Sequence, residues 1–330
     1  MSEYHIPVLL EQSVSGIVTN PSGIYADATF GGGGHTAAIL SRLNGDGRVI
    51  AFDRDIDAIA NAINDPRLTL IHNNFRFIEN YAWQIANNRD SRNKSENDGK
   101  GRTENDGKGR TENDGAMVFD GILADLGVSS HQFDTAERGF SFRFEEAPLD
   151  MRMNSQAKLT AADVVNTYSE EELEKILRLY GEVENARQVA RLIKAADTIK
   201  TTGDLDRAIA RALPKNAEHK ALSKIYQALR IEVNGEMRSL EKFLEGAAAS
   251  LKEGGRLAVI TYHSLEDRMV KNFIKTGNVE GTEQKDVFGK TSTPLEAVNR
   301  KPIVPEESEI AENTRARSAK LRIAQRRAAL

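Results

Sequence analysis

The feature that most constrains this chain is residues 24–35, Ile-Tyr-Ala-Asp-Ala-Thr-Phe-Gly-Gly-Gly-Gly-His. An apolar run ends in Asp27, four glycines follow at Gly31 to Gly34, and after His35 the residues Ala37, Ala38, Ile39 and Leu40 begin a helical pattern. Glycine lets the backbone turn tightly and approach a ligand closely, and a helix N-terminus carries N–H groups that have no partner inside the helix. A strand, a glycine turn and a helix in this order read as the start of a nucleotide-type cofactor site. Standing alone, such a turn can also be no more than a turn.

A second stretch adds to the reading. Arg48-Val-Ile-Ala-Phe-Asp-Arg-Asp55 is a short apolar strand ending in acid. Asp53 falls about twenty residues past the glycines, where an acid at the end of the second strand can accept hydrogen bonds from ribose hydroxyls. The glycines do not form G-x-G-x-x-G, and no Lys-Ser or Lys-Thr follows them as in a P-loop. A cofactor with a ribose but no pyrophosphate fits better, and S-adenosyl-L-methionine is the common one. An NAD-binding oxidoreductase is the alternative, with the missing dinucleotide spacing against it.

Further along, residues 57–64 read as a short helix, Leu68 to His72 as a third strand leading to Phe75, and Phe119 to Asp125 as a fourth. This alternation predicts a doubly wound α/β fold with a parallel sheet. Ligands in such sheets sit at the carboxyl ends of the strands, so Asp27, Asp53, Phe75 and Asp125 are expected around one crevice. Before the fourth strand, Gly-Lys-Gly-Arg-Thr-Glu-Asn-Asp occurs at 99–106 and again at 107–114. The stretch 91–115 is so polar that it cannot bury enough surface to offset its ordering entropy, which predicts a disordered loop insertion.

From residue 159 the periodicity turns helical. Ser169 with Glu172 reads as a capping box ahead of the stripe Leu173, Ile176, Leu177 and Tyr180, with Gly181 as the stop. A second helix sets Ala186, Val189, Ala190 and Ile193 on one side and Arg187, Arg191 and Lys194 on another. This predicts an all-helical domain at 135–235 inserted between core segments 1–134 and 236–330. The core resumes with a helix near 236–251 and a strand from Gly254 to Tyr262, followed by His263. The C-terminus carries Arg315, Arg317, Lys320, Arg322, Arg326 and Arg327 with no acid, a candidate for phosphate contact and otherwise a partly helical tail.

Composition removes several classes. There is no cysteine, so disulfides, thiolate metal sites and thiol nucleophiles are excluded, and with them methylation at carbon 5 of cytosine through a covalent thiol adduct. No other metal ligand set is assigned. The net charge of −4 argues against holding bare nucleic acid by bulk charge alone, and so against a non-catalytic RNA scaffold. No apolar window reaches the length of a membrane span, and the N-terminus lacks the pattern of a signal peptide, so a cytoplasmic protein is expected.

With these residues in place the chain closely resembles the RsmH (MraW) family. The resemblance rests on His5 to Leu10, Ala28-Thr-Phe-Gly-Gly-Gly-Gly-His35, Phe52-Asp-Arg-Asp55, Asp125-Leu-Gly-Val-Ser-Ser130, Glu137-Arg-Gly-Phe-Ser-Phe142, Leu149-Asp-Met-Arg-Met153, Tyr262-His-Ser-Leu-Glu-Asp-Arg268 and Arg315-Ala-Arg-Ser318, and spans nearly the whole chain. It implies a class I S-adenosylmethionine-dependent methyltransferase, Rossmann-like, with an inserted helical domain for substrate recognition. The implied reaction is methylation of the exocyclic N4 of a cytidine in the decoding region of 16S rRNA. The 16S rRNA, within the small ribosomal subunit, is the implied partner, with no membrane and no DNA, and with the oligomeric state, a homodimer included, left open. A methyltransferase acting on a protein or small molecule is the alternative. The implied cofactor contacts are Gly33, Gly34, His35, Asp53, Phe75, Asp125 and Gln132. The expected catalytic residues are Asp125 as acceptor for the amine, Ser129 (with Ser130) shaping the base pocket, and His263 as proton acceptor. The chain departs from the family in its octapeptide repeat. Asp125-Leu-Gly-Val also stands where many amino-methyltransferases have Asp/Asn-Pro-Pro-Tyr/Phe.

Overall fold

A computed structural model describes residues 7–97, 116–283 and 293–328, with the side chains of 88–97 left aside. Most of the expected loop insertion, including both full copies of the octapeptide, lies outside the described residues. The described chain divides into two compact units: residues 54–56 with 128–238, and the remainder, in which 239 onward rejoins the first half.

The larger unit is built on one seven-stranded sheet. Its strands are β1 (Ile24–Asp27), β2 (Arg48–Asp53), β3 (Leu68–His72), β4 (Phe119–Asp125), β5 (Leu251–Thr261), β6 (Leu295–Ala297) and β7 (Lys320–Arg326). Their spatial order is β3-β2-β1-β4-β5-β7-β6. The first five in that order are mutually parallel, and β7 runs antiparallel to both β5 and β6. The sheet is therefore mixed.

Alternation along the strands gives each face its own core. Ile24, Ala26, Ile50, Phe52, Ile122 and Ala124 point to one side, against the helices Ile78–Asn97, Glu236–Ser250 and Ser264–Thr276. Tyr25, Val49, Leu123, Ala258 and Ile260 point to the other, against Leu10–Ile17 and Gly34–Arg42. A strand buried on both faces has no polar face to show, which is why these segments read as continuous apolar runs.

The C-terminal basic run is helical only at its start. Arg315 and Arg317 fall in the short 3-10 helix Thr314–Ser318, and the rest supplies β7, whose Leu321 and Ile323 enter the core while Arg322 pairs with Asp267 at 2.7 Å and Lys320 lies 3.6 Å from the same carboxylate. The helix expected over 57–64 is confined to Ile56–Ile59, and the chain continues through turns closed by Asn61 and Ala62.

The smaller unit is helical around a separate core. The capping box at Ser169 and Glu172 forms, and the helix Glu170–Gly181 follows it. The stop is Glu182, in left-handed geometry at φ 50°, rather than Gly181. Gly181 instead gives room: a Cβ there would lie 2.6 Å from the Lys224 carbonyl. On Ala186–Ala195 the residues Ala186, Val189, Ala190 and Ile193 are buried, and Arg187, Arg191 and Lys194 are exposed. Among the described residues no helix is long and apolar enough to cross a membrane.

Candidate cofactor and active site

The strand order reverses between β1 and β4, because β1 continues to β2 on one side and β4 to β5 on the other. A crevice at such a reversal, at the carboxyl ends of the strands, is where open α/β sheets take ligands. Residues 28–31 are stitched across it. The Ala28 amide donates to the Leu123 carbonyl on β4, and the Phe30 amide to the Phe52 carbonyl on β2. The Asp125 amide donates to Thr29 Oγ1 at 2.7 Å, and the Gly31 amide to Asp53 Oδ2 at 2.8 Å. The glycine turn is thus held to the ends of both neighbouring strands.

Asp27 fixes the turn from below. It is fully buried, and its Oδ1 accepts from the Thr29 amide at 3.1 Å while Oδ2 accepts from Thr36 Oγ1 at 2.6 Å. Asp27 therefore holds the loop. Gly33 then sits at φ 78°, at the start of Gly34–Arg42, and no side chain caps that helix. The left-handed angle is one that glycine adopts without strain, and a Cβ there would lie 2.9 Å from the Phe30 ring.

An uncapped helix start directs backbone N–H groups outward and favours an anion such as a carboxylate. Beside it, the Asp53 carboxylate accepts from the Gly31 amide, and an ionised carboxylate offers roughly four lone-pair sites in all. A ribose diol has two donors to offer it. Phe75, after β3, meets Phe243 edge to face with centroids 5.2 Å apart, which fixes its ring. Helix-start amides, a strand-end acid and a fixed aromatic ring are the groups that an amino-acid–nucleoside cofactor calls for, so these residues fit S-adenosylmethionine.

His35 is buried, with Nε2 3.1 Å from the Val8 carbonyl. A carbonyl only accepts, so Nε2 carries the proton and Nδ1 faces Asp125 Oδ2 at 3.8 Å. Asp125 Oδ1 accepts from the Tyr262 hydroxyl at 2.8 Å. Burial pushes the Asp125 carboxyl up to about 6, while His35 and the Tyr262 hydroxyl pull it down and the carboxylates of Asp27 and Glu266 push it up. Burial and the neighbouring Asp125 raise the Tyr262 phenol well above its ordinary range. Tyr262 is a site residue that sequence reasoning missed, because its partner is 137 positions away.

The other expected residues fall at helix starts. Ser129 caps Ser130–Asp134: its Oγ accepts from the Gln132 amide and its amide donates to Gln132 Oε1, both at 3.2 Å. Gln132 Nε2 donates to Asp55 Oδ2 at 2.6 Å, and Arg138 binds the same oxygen at 2.8 Å. Ser129 and Gln132 belong to the helical unit, and Asp125 and His263 to the sheet unit. His263 caps Ser264–Thr276 by accepting from the Glu266 amide. Its Nε2 lies 3.0 Å from Glu266 Oε1, ion-pair distance without hydrogen-bond alignment.

Residues 2–327 match the model of the MraW methylase family. A Bacteroides thetaiotaomicron protein described as ribosomal RNA small subunit methyltransferase H is 50% identical over 327 residues, covering 98% of each chain. Relatives with the same description from Bacteroides fragilis and Flavobacterium johnsoniae are 51% and 48% identical, each over 327 residues and 98% of both chains. The sheet, the reversal in its strand order and this match over nearly the entire chain lead to one conclusion: the chain belongs to the MraW methylase family, a class I methyltransferase fold whose methyl donor is S-adenosyl-L-methionine.

Proposed function

We infer that the protein methylates the exocyclic N4 of a cytidine in the decoding region of 16S rRNA. The observation that carries the reading is the Asp125 carboxylate at the end of β4, beside the anchored glycine turn. Its neighbours in the larger unit are the residues suited to the cofactor. The relatives' description as small-subunit ribosomal RNA methyltransferases supports the RNA as substrate.

Bound S-adenosylmethionine supplies an electrophilic methyl group on a sulfonium. The chain's part is alignment and hydrogen bonding. The amides at the start of Gly34–Arg42, including those of Gly34 and His35, hold the methionyl carboxylate, with Gly33 setting the turn. Asp53 takes the ribose hydroxyls, and Phe75 forms an apolar wall for adenine. The side-chain amide of Gln132 is engaged by Ser129 and Asp55 within the helical unit.

The cytosine amine is a weak nucleophile because its lone pair is delocalised into the ring. Asp125 accepts a hydrogen bond from that amine and so draws the lone pair out of conjugation as nitrogen becomes tetrahedral. On taking the methyl group from the sulfonium the amine would shed one proton, which Asp125 or water can accept. A carboxyl near 6 is ionised at neutral pH and can receive it. His263 acts within the sheet unit through its helix cap, and Ser129 caps a helix of the helical unit. The helical unit is assigned RNA recognition, with exposed Arg187 and Arg191 as candidate phosphate contacts. Cells lacking the protein provide the test: mass spectrometry of 16S rRNA nucleosides should show loss of N4-methylation at one cytidine, restored by the purified enzyme. Unchanged 16S rRNA would overturn the assignment.

A further inference from the structure

Asp125 is followed by Leu126, Gly127 and Val128, so this segment brings no aromatic side chain of its own to the amine site. One arrives from the neighbouring strand. Tyr262 directly follows β5, and its backbone amide donates to Glu266 Oε2 at 2.9 Å. The ring lies along Gly127, where an added Cβ would be 3.3 Å from Tyr262 Cδ2. Gly127 also holds φ 104°, so two independent features keep that position free for the ring. The hydroxyl then donates to Asp125 Oδ1 at 2.8 Å.

This geometry leaves the two oxygens of Asp125 unequal. Oδ1 is taken by the phenol, and Oδ2 is on the side of His35 Nδ1, 3.8 Å away. The imidazole is held in turn by the Val8 carbonyl, so it has little freedom to close that gap. We propose that Tyr262 is a positioning residue for methyl transfer, pinning Asp125 through Oδ1 so that Oδ2 is the oxygen presented to the target amine. The proposal rests on the acceptor role given to Asp125 above. The ionisable groups facing Asp125 are His35 from Gly34–Arg42, Asp27 at the end of β1, Tyr262 after β5 and Glu266 from Ser264–Thr276. Of these, Tyr262 is the one in direct hydrogen-bond contact with the carboxylate.

Tyr262→Phe removes the hydroxyl and keeps the ring against Gly127. The single-turnover rate at saturating cofactor and neutral pH should fall roughly tenfold to a hundredfold, the range for a lost hydrogen bond to a charged group. Cofactor affinity should stay near wild type, and any loss of folding stability should appear at neutral pH and vanish at acid pH, where the carboxyl is protonated. The phenol stabilises the ionised carboxyl, so the acid limb of the pH–rate profile should move to higher pH in the variant. The carboxyl carbon of Asp125, followed by 13C NMR in cofactor-free protein, should titrate higher as well. In the Asp125→Asn background, Tyr262→Phe should add no further loss of rate, because its effect passes through Asp125. An unmoved NMR titration with an unmoved limb would overturn the proposal, as would losses that add fully in the double variant. Absence of RNA methylation by the wild type would instead count against the substrate assignment, and the NMR titration would still report on Tyr262.

Discussion

Asp53 accepts a hydrogen bond from the Gly31 amide at 2.8 Å, so the acid at the end of β2 is tied directly to the glycine turn after β1. One carboxylate thereby sets the turn, and in the reading proposed above it also takes the ribose hydroxyls.

The two tasks separate by substitution. Asp53→Ala should weaken S-adenosylmethionine binding by about 1.5–3 kcal/mol for each charged hydrogen bond lost. The Gly31 amide is only half-buried, so water can replace its lost partner and cofactor-free stability should change little. Titration calorimetry and thermal melts of the two proteins check both statements. Unchanged affinity would remove Asp53 from the cofactor site.

Thr36→Val conserves shape and deletes the hydroxyl that donates to fully buried Asp27 at 2.6 Å. Asp27 Oδ2 would then lose this donor where water has no access, while Oδ1 keeps the Thr29 amide. A loss of about 1–3 kcal/mol in urea unfolding is expected. A smaller loss would mean that Asp27 is held adequately by the Thr29 amide.

Asp125 makes stability depend on pH. Its folded carboxyl is raised to about 6, above the ordinary carboxylate value, so the folded state binds the proton more tightly than the unfolded chain. That contribution is fully present below about pH 4 and is lost as pH rises through about 6. Asp125→Asn removes it. The variant's stability relative to wild type should therefore be greater at pH 7 than at pH 4, by about 2–3 kcal/mol. Urea unfolding at the two pH values measures the difference, and no change in it would show that Asp125 titrates normally.

Asn234 organises a loop in the helical unit. Its Oδ1 accepts from the Met153 amide at 2.8 Å, and its Nδ2 donates to the carbonyls of Met151 at 2.7 Å and Arg230 at 2.9 Å. Met151 is fully buried at φ 60°, a backbone geometry that a side chain other than glycine holds only under constraint. Asn234→Ala should cost roughly 1–3 kcal/mol for each group left without a partner. Faster proteolysis within residues 138–153 should accompany the loss. Wild-type cleavage rates would show that the loop is held by other contacts.

The sequence by itself determined the parts whose cause is local. Apolar runs ending in Asp27, Asp53 and Asp125 become strands because a doubly covered sheet buries both faces of each. The glycine run becomes a turn because only glycine takes the angle at Gly33 without strain, and the Ser169–Glu172 spacing caps a helix because both bonds close within one turn. Even the alternation Leu321, Arg322, Ile323 in β7 was in the sequence, but charge concealed it. Arg322 can lie in a sheet only because Asp267, 55 positions away, faces it. What tertiary structure alone decided is the division of labour among the acids. The same residue type ends three strands, yet Asp27 is occupied by Thr29 and Thr36, Asp53 reaches across to Gly31, and Asp125 meets His35 and Tyr262. Hydrogen bonds form between whatever groups the packed chain brings within about 3 Å. Their partners are set by strand order and register, which no local stretch of sequence contains.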